Sequence, residues 1–125
     1  MVRLPVSDAS PKVARDMANA VARSWELEDD VAYRARLATS ELATNAIRYG
    51  NGGTIQVVVS RRQRCLRGEV HDGSPVLPVR QQPGLCESGR GLILVEDVVT
   101  ACGAYVTPFG KAAWFEIEAK WPLDS

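Results

Sequence analysis

No sign of charge dominates this 125-residue chain: Lys and Arg number 15, Asp and Glu also 15, for a formal net charge of zero. That balance speaks against a broad electrostatic footprint for nucleic acid or an anionic membrane, so no direct nucleic-acid contact is expected. No apolar run approaches the roughly 18 residues that a membrane-spanning helix needs. The opening MVRLPVSDAS lacks the apolar stretch of a secretory signal, and a cytoplasmic protein is the expectation. Cysteine is scarce: Cys65, Cys86 and Cys102 are an odd number without a CxxC pair. Neither a disulfide framework nor a zinc site is indicated, and all three read as small apolar fillers in a reduced protein. There is no GxxxxGK[ST] phosphate loop, no GxGxxG, no internal repeat and no low-complexity tract. The basic cluster Arg61, Arg62, Arg64 and Arg67 is local and reads as a solvated strand edge or turn.

What is present is an ordinary globular composition, 46% hydrophobic and 24% charged, in a length suited to a single domain over 1–125. Ser10-Pro11 reads as an N-cap followed by proline at the first helical position. Val13, Met17, Ala20, Val21 and Ser24 then recur at helical spacing and predict an amphipathic helix over 11–24. Glu28-Asp29-Asp30 places negative charge at the start of a second helix. Its stripe is Val31, Ala35, Ala38, Leu42, Ala46 and Tyr49, and it stops at Gly50-Asn51-Gly52-Gly53. Strands are predicted over 54–60 and 64–72, joined by a hairpin turn at Arg61-Arg62-Gln63. Residues 73–88 hold Pro75, Pro78, Pro83 and Gly84 and read as a functional loop. A third helix is expected from Arg90 to about Thr100, with Leu92, Val95 and Val99 inward. A hairpin of 101–107 and 112–120 closes the chain, and residues 2–6 add an edge strand. The order ααββ-loop-αββ predicts an α/β two-layer sandwich, with helices on one face of a mostly antiparallel mixed sheet.

Three short motifs carry chemistry. Glu41 and Asn45 stand four apart in SELATNAIRYG, at the edge of the second helix's apolar stripe rather than on its open face. A carboxylate there is partly desolvated and able to accept a proton. An amide oxygen beside it suits Mg²⁺, which takes few protein ligands. The plainer alternative pairs Glu41 with Arg34 or Arg48 and leaves Asn45 to a local hydrogen bond. Asp72, ending a strand before Gly73, suits an exocyclic amine such as that of adenine; the alternative is an Asp-Gly-Ser-Pro turn. Gly89-Arg90-Gly91, ahead of Leu92 at a helix start, offers free N–H groups and a charged donor fork to phosphate. There the alternative is a Ser88 N-cap with the glycines ending a loop.

Taken together and in this order, the motifs resemble the ATPase domain shared by gyrase, the heat-shock chaperone ATPase, MutL and histidine kinases, the GHKL or Bergerat ATP-binding fold. Within that group the chain most resembles the stand-alone anti-sigma factor serine kinases of the RsbW/SpoIIAB type. SELATNAIRYG matches the N box, VHDGSP the first glycine box, SGRGLILVEDV the second, and GKAAWFEI the last strand. The resemblance implies ATP and Mg²⁺ as cofactors, Glu41 as general base and Asn45 as Mg²⁺ ligand. It implies Asp72 and Gly73 at the adenine, Gly89, Arg90, Gly91 and Leu92 on the phosphate side, and an ATP lid at about 74–88. It further implies phosphorylation of a serine on a STAS-domain anti-anti-sigma protein, capture of a sigma factor, transcription regulation, and a homodimer.

Two departures bear on that reading. The first glycine box runs Asp72-Gly73-Ser74-Pro75-Val76 in place of DxGxG, resembling a DxSPxxP variant of stand-alone members. Ala112 stands where many relatives carry a threonine near the adenine. Both leave open a binding module of the same fold with weak or absent kinase activity, and an unrelated two-layer domain remains the third reading.

Overall fold

The computed structural model describes residues 2–5, 7, 9–49, 53–73 and 95–122. Five strands, β1 (Val2–Pro5), β2 (Thr54–Arg62), β3 (Cys65–Asp72), β4 (Ala101–Thr107) and β5 (Gly110–Glu118), form one sheet in the order β1-β2-β3-β5-β4. Every pairing among them is antiparallel. Two helices, α1 (Ser10–Ser24) and α2 (Asp29–Tyr49), form the second layer. Among the described residues, α2 lies against β2, β3 and β5, and α1 packs chiefly on α2.

Because α2 is covered by the sheet on one side and α1 on the other, its buried surface is wide. Val31, Ala35, Ala38, Leu42 and Ala46 are buried as their spacing predicts, and so are Ala32, Thr39 and Ala43. The face α1 offers in return is Ser10, Ala14, Ala18 and Ala22, a strict i, i+4 row of small residues. This corrects the expected stripe: Val13 is 46% exposed and Ala20 is exposed as well. Close approach of two helix backbones favours alanine over larger apolar side chains, since steric fit limits the contact. The start of α1 also differs from the expected cap. Ser10 is the first helical residue, and its hydroxyl donates to the Pro5 carbonyl at 2.5 Å, tying β1 to α1. Its far end closes with Glu26 in the left-handed region (φ 60). There Leu27 N–H donates to Ala22 O at 3.1 Å and Glu26 N–H to Arg23 O at 2.9 Å, the double bond of a Schellman stop.

In the sheet, β3 buries Leu66, Gly68 and Val70 toward the helices, and β5 buries Phe115 and Ile117 on the same face. Gly68 and Phe115 are register partners. A Cβ on Gly68 would run into the Phe115 ring, so the glycine is what lets the ring lie down in the core. The β2–β3 turn is Gln63-Arg64 rather than the predicted 61–63, with Gln63 at φ 58.

The expected helix over 90–100 lies outside the described residues up to 94. Its described end is a single 3₁₀ turn, Val95–Asp97. Helix is not continued because the following residues are already claimed: Arg34 Nε donates to Val98 O at 2.9 Å, and Thr100 N–H donates to Glu116 O at 2.8 Å. Val95 itself is fully buried, as expected. Cys102 is disulfide-bonded, so the reading of all cysteines as reduced fillers fails there; Cys65 is free. No helix among the described residues is long and apolar enough to cross a membrane.

Candidate functional site

The chain path brings the C-terminal half of α2 and the end of β3 to one end of the molecule. Helix α2 ends at Tyr49 and β2 starts at Thr54, so the two ends are joined by residues 50–53. The start of β2 lies beside the end of β3, with Gln56 in register with His71. The turn entering β5 reaches the same edge, since Asp72 is in register with Lys111. Gly110 makes this approach possible: a Cβ there would collide with the Asp72 carbonyl oxygen. Strand β3 ends at this edge, before Gly73. Gly73 itself is exposed.

Glu41 and Asn45, one turn apart on α2, are half-buried. Asn45 therefore keeps an exposed portion near the helix end. Glu41 Oε1 is buried and has no hydrogen-bond partner among the described residues. A buried acceptor without a donor is costly, and the carboxyl responds. Burial pushes its pKa above the ordinary carboxylate range, against a smaller opposing pull from the Arg48 charge. The alternative pairing with Arg34 is not made, because that guanidinium is spent on Val98 O and, at 3.3 Å, on Asp30.

Asp72 is held differently. Lys111 Nζ lies 3.0 Å from Oδ1 and 2.9 Å from Oδ2, and the two side chains are only 5% and 9% exposed. Each charge removes the other's uncompensated burial; the loss of one partner from such a pair is strongly destabilising. Both lie on the helix-facing side of the sheet, in phase with Val70 and Phe115. Ala112 does not: it is fully buried on the opposite face, in register with His71 and Tyr105. Ala112, where many relatives carry a threonine, therefore does not share a face with Asp72.

Gly89, Arg90, Gly91 and Leu92 lie outside the described residues, as does the loop 74–88. Among the described residues no cluster of three or more His, Cys, Asp or Glu is arranged to hold a metal ion. Asn45 offers a metal one amide oxygen, and Mg²⁺ is a cation that takes few protein ligands. The donor set fits it in kind: an amide oxygen beside a carboxylate that lacks a donor. The residues that reading the sequence missed are Gly110 and Lys111. The signal was available, since Lys111 extends the inward alternation of Ala113, Phe115 and Ile117 by one step.

With this geometry in view, the comparisons are consistent. The model of the histidine kinase-like ATPase domain family matches residues 4–116. The chain belongs to the histidine kinase-like ATPase domain family, and that membership implies ATP as ligand. The crystal structure of the RsbU and RsbW domains of Rv1364c from Mycobacterium tuberculosis is similar, with a TM-score of 0.72 at 17% identity. The likeness covers 97% of this chain and 32% of that one, so this chain spans about a third of its length. At that identity it speaks to the fold, the two-layer sandwich of the GHKL group. No curated protein sequence matches.

Proposed function

We propose that this chain is an ATP-binding regulatory protein of the anti-sigma factor serine kinase type, acting in the cytoplasm. The observation that carries the reading is the orphaned, buried Oε1 of Glu41 with its raised pKa. A carboxylate kept short of donors, beside a half-exposed amide, is the arrangement of a base awaiting a substrate proton. In this role Glu41 accepts the proton that a serine hydroxyl gives up as its oxygen takes the phosphoryl group. Asn45 holds Mg²⁺ by its amide oxygen. Asp72 accepts the adenine amine, with Gly73 beside it, and Gly89, Arg90, Gly91 and Leu92 serve the phosphates. Bound ATP with Mg²⁺ supplies the transferable phosphoryl group and its charge neutralisation. The acceptor is a serine of a STAS-domain anti-anti-sigma protein, and the second partner is a sigma factor. The RsbU and RsbW domains of the similar structure support a partner-switching system of this kind.

A second reading has its own observation. Both oxygens of Asp72 are engaged by Lys111, which favours a weakly nucleotide-binding regulatory module of the same fold. Thermal unfolding decides between nucleotide binding and none. A ligand at 100 times its Kd stabilises the native state by about 2.7 kcal/mol. Millimolar Mg-ATP is expected to raise the Tm by several degrees, and an unchanged melt defeats the ATP reading.

A further inference from the structure

The pair between Asp72 and Lys111 joins two residues on one buried face, brought opposite each other by register. The Lys111 ammonium approaches both carboxylate oxygens, at 3.0 Å and 2.9 Å. An ammonium is a donor only, with three N–H groups. An exocyclic amine is likewise a donor at this position. A 6-amino purine and Lys111 therefore ask the same thing of the same two oxygens. A 6-keto purine asks the opposite: its carbonyl needs a donor, and faces repulsion from a bare carboxylate.

We propose that Lys111 is a specificity-determining residue of the base pocket. Its ammonium occupies the Asp72 carboxylate in the empty site, competes with the incoming amine, and narrows the preference for 6-amino over 6-keto purines. This rests on the reading of Asp72 as the base acceptor. The competition follows from the burial of both side chains: with 5% and 9% exposure, water is poorly placed to take over either partner. An amine that enters must share the carboxylate with Lys111 or move the ammonium aside. A keto oxygen, by contrast, finds in Lys111 the donor that Asp72 cannot give. Gly110 fixes the competition in place, since the strand start that carries Lys111 closes on the Asp72 backbone only without a Cβ.

The test is calorimetric titration of the full chain with ATP and with inosine triphosphate, which differ at position 6 of the purine. The proteins are wild type, Lys111→Met, Lys111→Arg and Asp72→Asn. Lys111→Met is expected to shift the ratio of the two dissociation constants roughly tenfold toward ATP. Lys111→Arg, which keeps a charged donor fork on the carboxylate, leaves the ratio near that of wild type. A ratio in Lys111→Met equal to wild type overturns the proposal. A general loosening, or loss of attraction for the triphosphate, moves both affinities together and leaves the ratio alone, so it counts as the same refutation. If Lys111→Met does not fold, Lys111→Gln carries the test: its neutral amide holds the carboxylate more weakly than the ammonium does, so it shifts the ratio in the same direction by less. Asp72→Asn separates the two levels. If it leaves the ratio unchanged, Asp72 is not the base acceptor and both readings fall. If it moves the ratio while Lys111→Met does not, the competition alone is refuted.

Discussion

Glu41 and Glu69 are both partly buried glutamates, yet their surroundings are opposite. Glu69 stands on the outer face of β3 and is surrounded by donors. Arg67 Nε lies 2.8 Å from Oε2, His71 Nε2 lies 2.8 Å from Oε1, and the Tyr105 hydroxyl donates to Oε1 at 3.0 Å. Arg67 is itself fixed by Glu116 at 2.7 Å and by the Trp114 ring, 4.5 Å from its guanidinium carbon. Burial pushes the Glu69 carboxyl up, but the hydrogen bonds from Arg67, His71 and Tyr105 outweigh it and its pKa ends below the ordinary value. Glu41 has the burial without the donors, and its pKa is raised. Burial alone therefore does not mark a reactive carboxylate. What separates the two is the supply of donors, which lowers the pKa of Glu69 and is missing at Glu41 Oε1.

The strongest way to break this contrast is kinetic. Glu41→Gln is expected to lower phosphoryl transfer from labelled ATP to a STAS-domain antagonist of the same genome by about 10²–10⁴-fold. Binding of Mg-ATP, followed by calorimetry, persists. Glu69→Gln is expected to leave the transfer rate within about threefold, a change worth less than about 0.7 kcal/mol. Equal losses in the two variants would show that both act through the fold, and no loss in Glu41→Gln would remove it from the chemistry.

The next effect concerns stability and reverses the ranking. Glu69→Ala removes three hydrogen bonds, two of them from Arg67 and His71. A hydrogen bond to a charged group contributes about 1.5–3 kcal/mol and such terms do not add. Because Arg67 keeps Glu116 and Trp114, a loss of about 2 kcal/mol in denaturant unfolding is expected. A loss under about 0.5 kcal/mol, within the range of an ordinary surface substitution, would make the outer-face network ornamental.

The contrast was half legible in the sequence. Periodicity placed Glu41 at the edge of the α2 stripe, and the structure leaves it half-buried there, because a long helix with a strong pattern has one way to face the core. What defeated pattern reading was contact between elements. The apolar residues of α1 drew the stripe toward Val13, whereas helix–helix fit selected Ala14, Ala18 and Ala22. The stop after the 3₁₀ turn Val95–Asp97 was set by Arg34 taking the Val98 carbonyl, a bond spanning 64 positions that no local window contains. Lys111 was within reach of the period-2 rule, since two inward charges at facing strand ends must meet or be left unpaired. The pairing of β3 with β5, which makes them face, was the missing piece.

The smallest expected effect, and the one that reads the two carboxylates on a single axis, is pH dependence of stability. Glu41 has a folded pKa above its unfolded value, chiefly through burial. The native state then binds more protons than the unfolded one, so stability falls as pH rises through the interval between the two pKa values. Glutamine cannot titrate, and Glu41→Gln removes that fall. The Tm of Glu41→Gln minus that of wild type should thus be lowest near the unfolded glutamate value of about 4.3 and below it. It should grow as pH rises through the folded pKa, then level off. Glu69 has the reverse sign, since its folded pKa is lowered. Its stabilisation is present above the unfolded value and is lost as pH falls through the folded one. The Tm deficit of Glu69→Gln should be full near neutrality and shrink in acid. Any loss or gain of packing in the amide variants adds a constant offset, so the slopes of the two difference curves are what matter. They should have the same algebraic direction for opposite causes only if the Glu69 deficit is mis-signed; opposite slopes, one difference rising with pH and the other falling, are the expected result. Parallel or flat curves would mean that the two glutamates are not distinguished by their donors after all.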